Sequence, residues 1–369
     1  MNTLLNTNLT YLFISLVLSA LIYPLLISFL YKYQFREKVR EELDHHKFKV
    51  GTPTMGGLGF ILVTLILNLL LNRYSLNIIF LLLFMFLVSL LGLLEDLNKA
   101  YAKSKLRKAV RVKTYEIVSK SKKRWKVYEY LLIPWNIFRE FARILGSNDG
   151  VSGKFLTSHT KLLLHFVLGF SISFYSYYYL HWNSLRIPFF GELYLGILYP
   201  IFITFLFVFT LNAVAITDGL DGLLAGLVLL ILPSYWVISH YLNYPDISNF
   251  VAILFGALLV YLYFNIFPAR VFMGDVGSYA LAISIFMIPF IMRVEFLLFI
   301  THFVPLFDGG ISGNAQQLSV RFFKKRLFKM APIHHHFEKL GWPETKVVLR
   351  FWIFQVMFSL LGLWLFFYL

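Results

Sequence analysis

The chain is 369 residues long, 59% hydrophobic and only 14% charged, with 40 Phe, no Cys and a formal charge of +15. Soluble domains average about 45–50% apolar and about 25% charged residues, so this composition excludes a soluble domain, a disordered chain and a basic nucleic-acid-binding domain, while the lack of cysteine excludes a disulfide scaffold. What remains is an all-α polytopic integral membrane protein whose positive charge needs a membrane explanation.

A spanning helix takes about 20 mostly apolar residues. In chain order such runs lie at 11–31, 57–71, 77–94, 161–180, 194–212, 222–242, 250–266, 278–292, 295–312 and 347–369. This predicts about ten transmembrane helices in a single domain over 1–369. The stretch MNTLLNTNLT has no basic residue before the first run and does not read as a cleaved signal peptide. With 32–56 taken as cytoplasmic, alternation leaves only Arg73, Arg186 and Arg293 of the 34 Lys and Arg on the other side. That asymmetry puts both termini outside. Glu192, Asp246 and Glu295 accompany those three arginines, so the whole net charge falls on the inner surface, facing anionic lipids and anionic substrates. Residues 101–160 form a basic cytoplasmic insert. Within it, YEYLLIPWNIFREFARIL sets Leu131, Leu132, Trp135, Phe138, Phe141 and Leu145 among Arg139, Glu140 and Arg143. Two readings stand: a helix in the headgroup plane, or a soluble hairpin packed on the neighbouring loops.

The inner loops also carry polarity that composition does not explain. Before the second span, Lys47 and Lys49 precede Gly51-Thr52-Pro53-Thr54-Met55-Gly56-Gly57. Glycines let backbone amides approach an anion and lysines add charges suited to phosphate, although such a turn also serves as a plain connector. Glu95 and Asp96 end the third span. Adjacent carboxylates repel and, at a helix C-terminus, oppose the macrodipole, so the pair calls for a cation or a shared proton. Asn212 leads into Thr217-Asp218-Gly219-Leu220-Asp221-Gly222, where two acids three apart fall on one side of a tight turn, as ligands or as helix caps. Asn265 leads into Phe272-Met273-Gly274-Asp275-Val276-Gly277-Ser278. Here Asp275 is exposed for a hard cation or caps the eighth span, and Phe272 stacks on a base or packs at the interface. Before the last span, His334, His335 and His336 turn by about 100° each on a helix and cannot converge on one metal. Phosphate or nucleotide recognition is favoured over zinc, with a surface cluster as the alternative. His165 and His302, inside spans, read as packing residues.

The motifs GTPTMGG, TDGLDGL, VFMGDVGS and MAPIHHHFE, in this order, resemble those of the phospho-N-acetylmuramoyl-pentapeptide-transferases, within the polyprenyl-phosphate N-acetylhexosamine-1-phosphate transferase superfamily. The resemblance covers most of the chain, and the last motif separates it from relatives that transfer N-acetylglucosamine-1-phosphate. It implies transfer of phospho-MurNAc-pentapeptide from UDP-MurNAc-pentapeptide to undecaprenyl phosphate, with Mg²⁺ required and UMP released. It further implies ten transmembrane helices, an active site on the cytoplasmic face of the bacterial plasma membrane, and a homodimer. By the same resemblance Asp275 binds Mg²⁺, with Asp218 contributing, and Glu95 and Asp96 belong to the acidic centre. Asp221 helps form the uridine-diphosphate site. Lys49, Thr54, Asn212, Asn265 and Phe272 contact the nucleotide or its phosphates, Gln317 matches a glutamine beside the uracil, and His334 and His335 lie near the nucleotide sugar.

Three departures from the family pattern stand out: Glu95 where an Asp is usual, Ala215-Ile216-Thr217-Asp218 in place of Asn-Leu-Thr-Asp, and the long 101–160 insert. Chemically, an anionic phosphate must attack a pyrophosphate, so the site has to supply positive charge. Direct in-line attack, with Glu95 or Asp96 removing the lipid phosphate's proton, competes with a covalent phospho-sugar on an aspartate. The rival class is a transporter, whose site would lie near the bilayer midplane on broken helices with buried charges. The spans here have few charges away from their ends.

Overall fold

A computed structural model describes residues 2–33, 51–72, 74–100, 158–187 and 191–368. Lys49 and nearly all of the 101–160 insert, with its expected interfacial helix, lie outside the described residues.

The expected apolar runs are helical, because in hydrocarbon every backbone N–H and C=O must be satisfied within the segment. In order they are α1 (Asn2–Lys32), α2 (Gly57–Leu71), α3 (Leu76–Ala100), α4 (Ser158–Tyr178), α5 (Tyr199–Thr217), α6 (Leu223–Tyr241), α7 (Pro245–Asn265), α8 (Gly274–Ile291), α9 (Phe296–Thr301), α10 (Ser312–Phe323), α11 (Ile333–Lys339) and α12 (Glu344–Tyr368). Among the described residues, seven helices are long and apolar enough to cross a membrane. The fold is that of a polytopic membrane protein.

Burial ranks the helices. The most apolar window of α8 is 89% buried, whereas those of α1 and α12 are 17% and 22% buried. Leu25, Leu70 and Phe13 are exposed, which suits a lipid-facing rim and would be a liability in water. Helix α8 therefore runs through the middle, against α3, α5 and α2, while α1 packs on α7 and α12 on α6.

Far from the N-terminus of α8, a polar clamp ties the frame together. Asn72 Nδ2 donates to Asp246 O and to Asn68 Oδ1 at 2.8 and 2.9 Å, and Asn249 Nδ2 donates to Asn72 Oδ1 at 3.1 Å. Asn8 Nδ2 donates to Ser248 Oγ, which joins α1 to the same corner.

Two features depart from the sequence reading. The run expected to begin at 194 opens instead with an antiparallel hairpin, β1 (Ser184–Ile187) and β2 (Gly191–Tyr194), in the register Arg186↔Glu192 and Leu185↔Leu193. Four-residue strands are too short for an alternating pattern to show in the sequence. An opposite-charge pair and a leucine pair face each other across the register. Arg293 holds the hairpin to the end of α8, donating to Ser184 O at 2.9 Å with its guanidinium 5.0 Å from the Trp182 ring centre.

The run at 295–312 is not one helix. It breaks after α9 into a short turn at Phe303–Pro305 and a π-helical turn at Leu306–Ile311. Proline lacks an N–H to continue the ladder, and a π turn widens the coil. Glycines at the break admit α5: a Cβ on Gly309 would stand 1.9 Å from Ala213 O. The break presents Asp308 to the interior, where it is fully buried.

Candidate active site

The first and fourth polar segments are joined through their backbones. Phe272 N donates to Pro53 O at 2.8 Å, Gly56 N to Phe272 O at 2.8 Å and Gly57 N to Met273 O at 3.0 Å. These bonds dock the start of α2 onto the start of α8 with no side chain between. A Cβ on Gly57 would stand 2.3 Å from Gly277 Cα, and one on Gly92 of α3 would stand 2.3 Å from Asp275 O. Glycine is required because main chain meets main chain. Gly92→Ala is accordingly expected to push α3 off α8 and destabilise the protein by about 1–3 kcal/mol. Thermal unfolding of the purified variant reads this directly, and an unchanged midpoint would contradict it.

Helices α3 and α8 meet through two polar rungs. Lys99 Nζ lies 2.6 Å from Asp275 Oδ2, and one turn deeper Tyr279 Oη donates to Glu95 Oε2 at 2.9 Å. Glu95 and Lys99 are four apart on α3, Asp275 and Tyr279 four apart on α8, so each pair shares a face. Lys161 of α4 adds a third group, its Nζ donating to Glu95 Oε1 at 2.7 Å. Asp96 plays a different part. Its Oδ1 accepts from Asp275 N and its Oδ2 from Val276 N, both at 3.0 Å, so it caps the N-terminus of α8 from another helix. A carboxylate there satisfies two of the helix's otherwise unpaired donors and complements its dipole. Thr54 is buried beside it: a Cβ on Gly274 would approach Asp96 Oδ2 to 2.5 Å and Thr54 Oγ1 to 2.9 Å. Thr54 Oγ1 has no hydrogen-bond partner among the described residues.

The acidic turn after α5 bonds to the segment that leads into α8. Asp221 Oδ2 accepts from Ala269 N at 2.9 Å, Asn265 Oδ1 accepts from Gly222 N at 3.1 Å, and Asn265 Nδ2 donates to Val271 O at 3.0 Å. Asp221 N donates to Glu344 Oε1 at 2.6 Å, which anchors the turn to α12. Asp218 follows the last residue of α5. Asn212, on α5, donates to Val208 O at 2.7 Å, and its Nδ2 lies 3.3 Å from His165 Nδ1. His302 bonds to Ile285 O and Thr301, so both span histidines are packed and paired.

The histidines separate by role. His334 Nδ1 lies 2.7 Å from Asp308 Oδ2, and His334 N donates to Asp308 Oδ1 at 3.0 Å. Its Nε2 is buried without a hydrogen-bond partner among the described residues and faces Gly219, where a Cβ would stand 2.4 Å away. His335 Nδ1 pairs with Glu338 at 2.7 Å, while His336 Nδ1 accepts from Lys329 N at 3.0 Å. The three rings thus point to three partners, as their spacing required. Phe272 is half-buried and Gln317 is exposed. Its neighbour Gln316 is the one that braces the loop, accepting from Leu327 N and Phe328 N at 2.9 Å each.

Among the described residues no three His, Asp or Glu side chains are grouped as a ready-made metal cage. Magnesium seldom needs one, since it takes one or two carboxylates together with substrate phosphates and water. Asp275 offers hard oxygen at a helix N-terminus, and Lys99 already balances a charge there. The donor set fits a divalent cation shared with phosphates. Sequence reasoning missed Lys99, Lys161, Tyr279, Asp308 and Glu344. Only Lys99, four residues beyond Glu95, and Asp308, an acid within an apolar run, left a local signal.

Residues 141–293 match the family model described as glycosyl transferase family 4. The chain is similar along nearly its whole length to curated phospho-N-acetylmuramoyl-pentapeptide-transferases. It is 33% identical to that of Clostridium perfringens, over 95% of each chain. It is 35% identical to that of Staphylococcus epidermidis, over 96% of this chain and 98% of the relative, and 32% identical to that of Bacillus licheniformis, over 95% and 94%. With the order of its motifs and the convergence of their side chains, this similarity makes the chain a member of the phospho-N-acetylmuramoyl-pentapeptide-transferase family.

Proposed function

We propose that the protein transfers phospho-MurNAc-pentapeptide from UDP-MurNAc-pentapeptide to undecaprenyl phosphate, giving lipid I and UMP, at the cytoplasmic face of a bacterial plasma membrane. The near full-length match to relatives of that name carries the reading. In this reading the bundle spans the membrane about ten times with both termini outside, works as a homodimer, and sets its inner-face charge among membrane lipids.

The residues divide the work as follows. Asp275, with Asp218, would hold Mg²⁺, which when bound supplies positive charge to the pyrophosphate. Lys99 and Lys161 bring fixed positive charge to a centre where two anions must meet. Thr54, whose hydroxyl has no hydrogen-bond partner among the described residues, Lys49, Asn212, Asp221, Asn265, Phe272 and Gln317 would bind the nucleotide and its phosphates, with His334 and His335 beside the sugar. Both oxygens of Asp96 already accept backbone N–H groups, so Asp96 orients α8. Glu95, whose donors are the side chains of Lys161 and Tyr279 and not the backbone of a helix end, is the carboxylate that takes the lipid phosphate's proton. Direct attack by the lipid phosphate is the simpler course, since Asp275 pairs with Lys99 and Asp96 accepts two backbone N–H groups.

The test is incubation of the purified protein with UDP-MurNAc-pentapeptide, a polyprenyl phosphate and Mg²⁺, with UDP-GlcNAc in parallel. UMP release from the first nucleotide alone is the expected result, and release from UDP-GlcNAc alone would assign the chain to the GlcNAc-1-phosphate branch. Glu95→Gln should lower the turnover rate about a hundredfold while nucleotide affinity changes little. An equal loss in both would remove Glu95 from proton transfer.

A further inference from the structure

We infer that Tyr279 and Lys161 are positioning residues for Glu95, and that together they accommodate a glutamate where the family pattern has an aspartate. This inference rests on the transferase reading and names what that site needs to work in this chain.

The geometry is specific. Glu95 lies four residues before Lys99, so its α-carbon is about 6 Å deeper along α3 than that of the residue facing Asp275. Tyr279 occupies the matching depth on α8, four residues past Asp275. Its hydroxyl donates to Glu95 Oε2 at 2.9 Å, and Lys161 Nζ donates to Oε1 at 2.7 Å. Each carboxylate oxygen thus has its own donor, from a different helix.

The donors are themselves held. Lys161 Nζ sits 5.3 Å from the centre of the Tyr279 ring, on the face that attracts cations, and the His165 ring meets Tyr279 edge-on at 5.2 Å. Tyr279 is 1% exposed. Glu95 is largely buried, and both of its oxygens are engaged.

Chain length then becomes decisive. An aspartate carboxylate at 95 would lie about 1.5 Å nearer its own backbone, the length of one carbon–carbon bond. The buried Tyr279 hydroxyl could not follow, so an aspartate would lose that donor while the partly exposed Lys161 could still reach it. The additional methylene is what lets the carboxylate meet both donors, and Tyr279 is what stops a longer and looser side chain from sampling unproductive directions.

Tyr279→Phe removes a single oxygen and keeps the ring. It should lower kcat about tenfold, with KM for UDP-MurNAc-pentapeptide changing less than twofold and the melting midpoint barely moving. Glu95→Asp should lower kcat by a comparable factor. The double variant should be no slower than Glu95→Asp alone, since the tyrosine has nothing left to orient. Wild-type kcat in Tyr279→Phe, or losses that multiply in the double variant, would overturn the inference while leaving the transferase reading intact. A parallel rise in KM and fall in melting midpoint would also overturn it, as signs of a packing role alone. If the unaltered protein released no UMP, the transferase reading itself would fall, and the inference with it.

Discussion

Alanine at position 275 is expected to cut UMP release by about a thousandfold or more while leaving the protein folded. The carboxylate is the hard-oxygen donor at the N-terminus of α8 and the partner of Lys99 at 2.6 Å. Removing a group that gathers charge in the transition state costs about two to three powers of ten, and loss of the Mg²⁺ proposed to bind there would add to that. The fold should survive because the cap on α8 runs through the backbone N–H of residue 275, which alanine keeps. The comparison to make is Mg²⁺-dependent UMP release against the thermal midpoint. Normal turnover in a well-folded variant would remove Asp275 from the cation site.

The second large effect is expected at Asp308. Its carboxylate accepts the backbone and ring N–H groups of His334, both partners being fully buried. That arrangement puts the ring proton on Nδ1 and leaves Nε2 as an acceptor facing Gly219. Asp308→Asn keeps the oxygen that accepts from His334 N but offers an amide donor to Nδ1, which forces the proton to Nε2. A histidine with the wrong tautomer presents a donor where an acceptor was built, with consequences known to be large for buried Asp–His pairs. Turnover should fall about a hundredfold with nearly native unfolding. Asp308→Ala, in contrast, leaves the buried backbone and ring N–H groups of His334 without their acceptor and should destabilise the protein by about 1–3 kcal/mol for each. Native turnover in the asparagine variant would show that the orientation of His334 is immaterial.

The two effects illustrate how unevenly the site could be read from sequence. Asp275, Asp221, Asn265 and Thr54 announced themselves through glycine-flanked polar motifs in an apolar chain, and the structure brings these segments together. Hydrophobic runs also located the helices, because in hydrocarbon composition alone decides where a chain must coil. Asp308 signalled only that an acid lies within an apolar run, and not what it meets. It sits in a run read as one helix, and nothing in the letters LFDGG says that the coil widens there to turn a carboxylate towards a histidine 26 residues away. Tyr279, 184 residues from Glu95, is an ordinary aromatic until α3 and α8 are packed. The β1–β2 hairpin escaped for the opposite reason, since four residues per strand are too few to carry a period. Contacts between distant residues are properties of packing, and single side chains that take part in them carry no motif.

The docking of Gly57 on Gly277 and of Gly92 on the Asp275 carbonyl has a pharmacological corollary. Where main chain bears on main chain, no rotamer can yield, and no larger side chain fits without parting the helices. Substitutions that a drug selects around the start of α8 should therefore arise at side chains with room to change, such as half-buried Phe272, and spare the glycines.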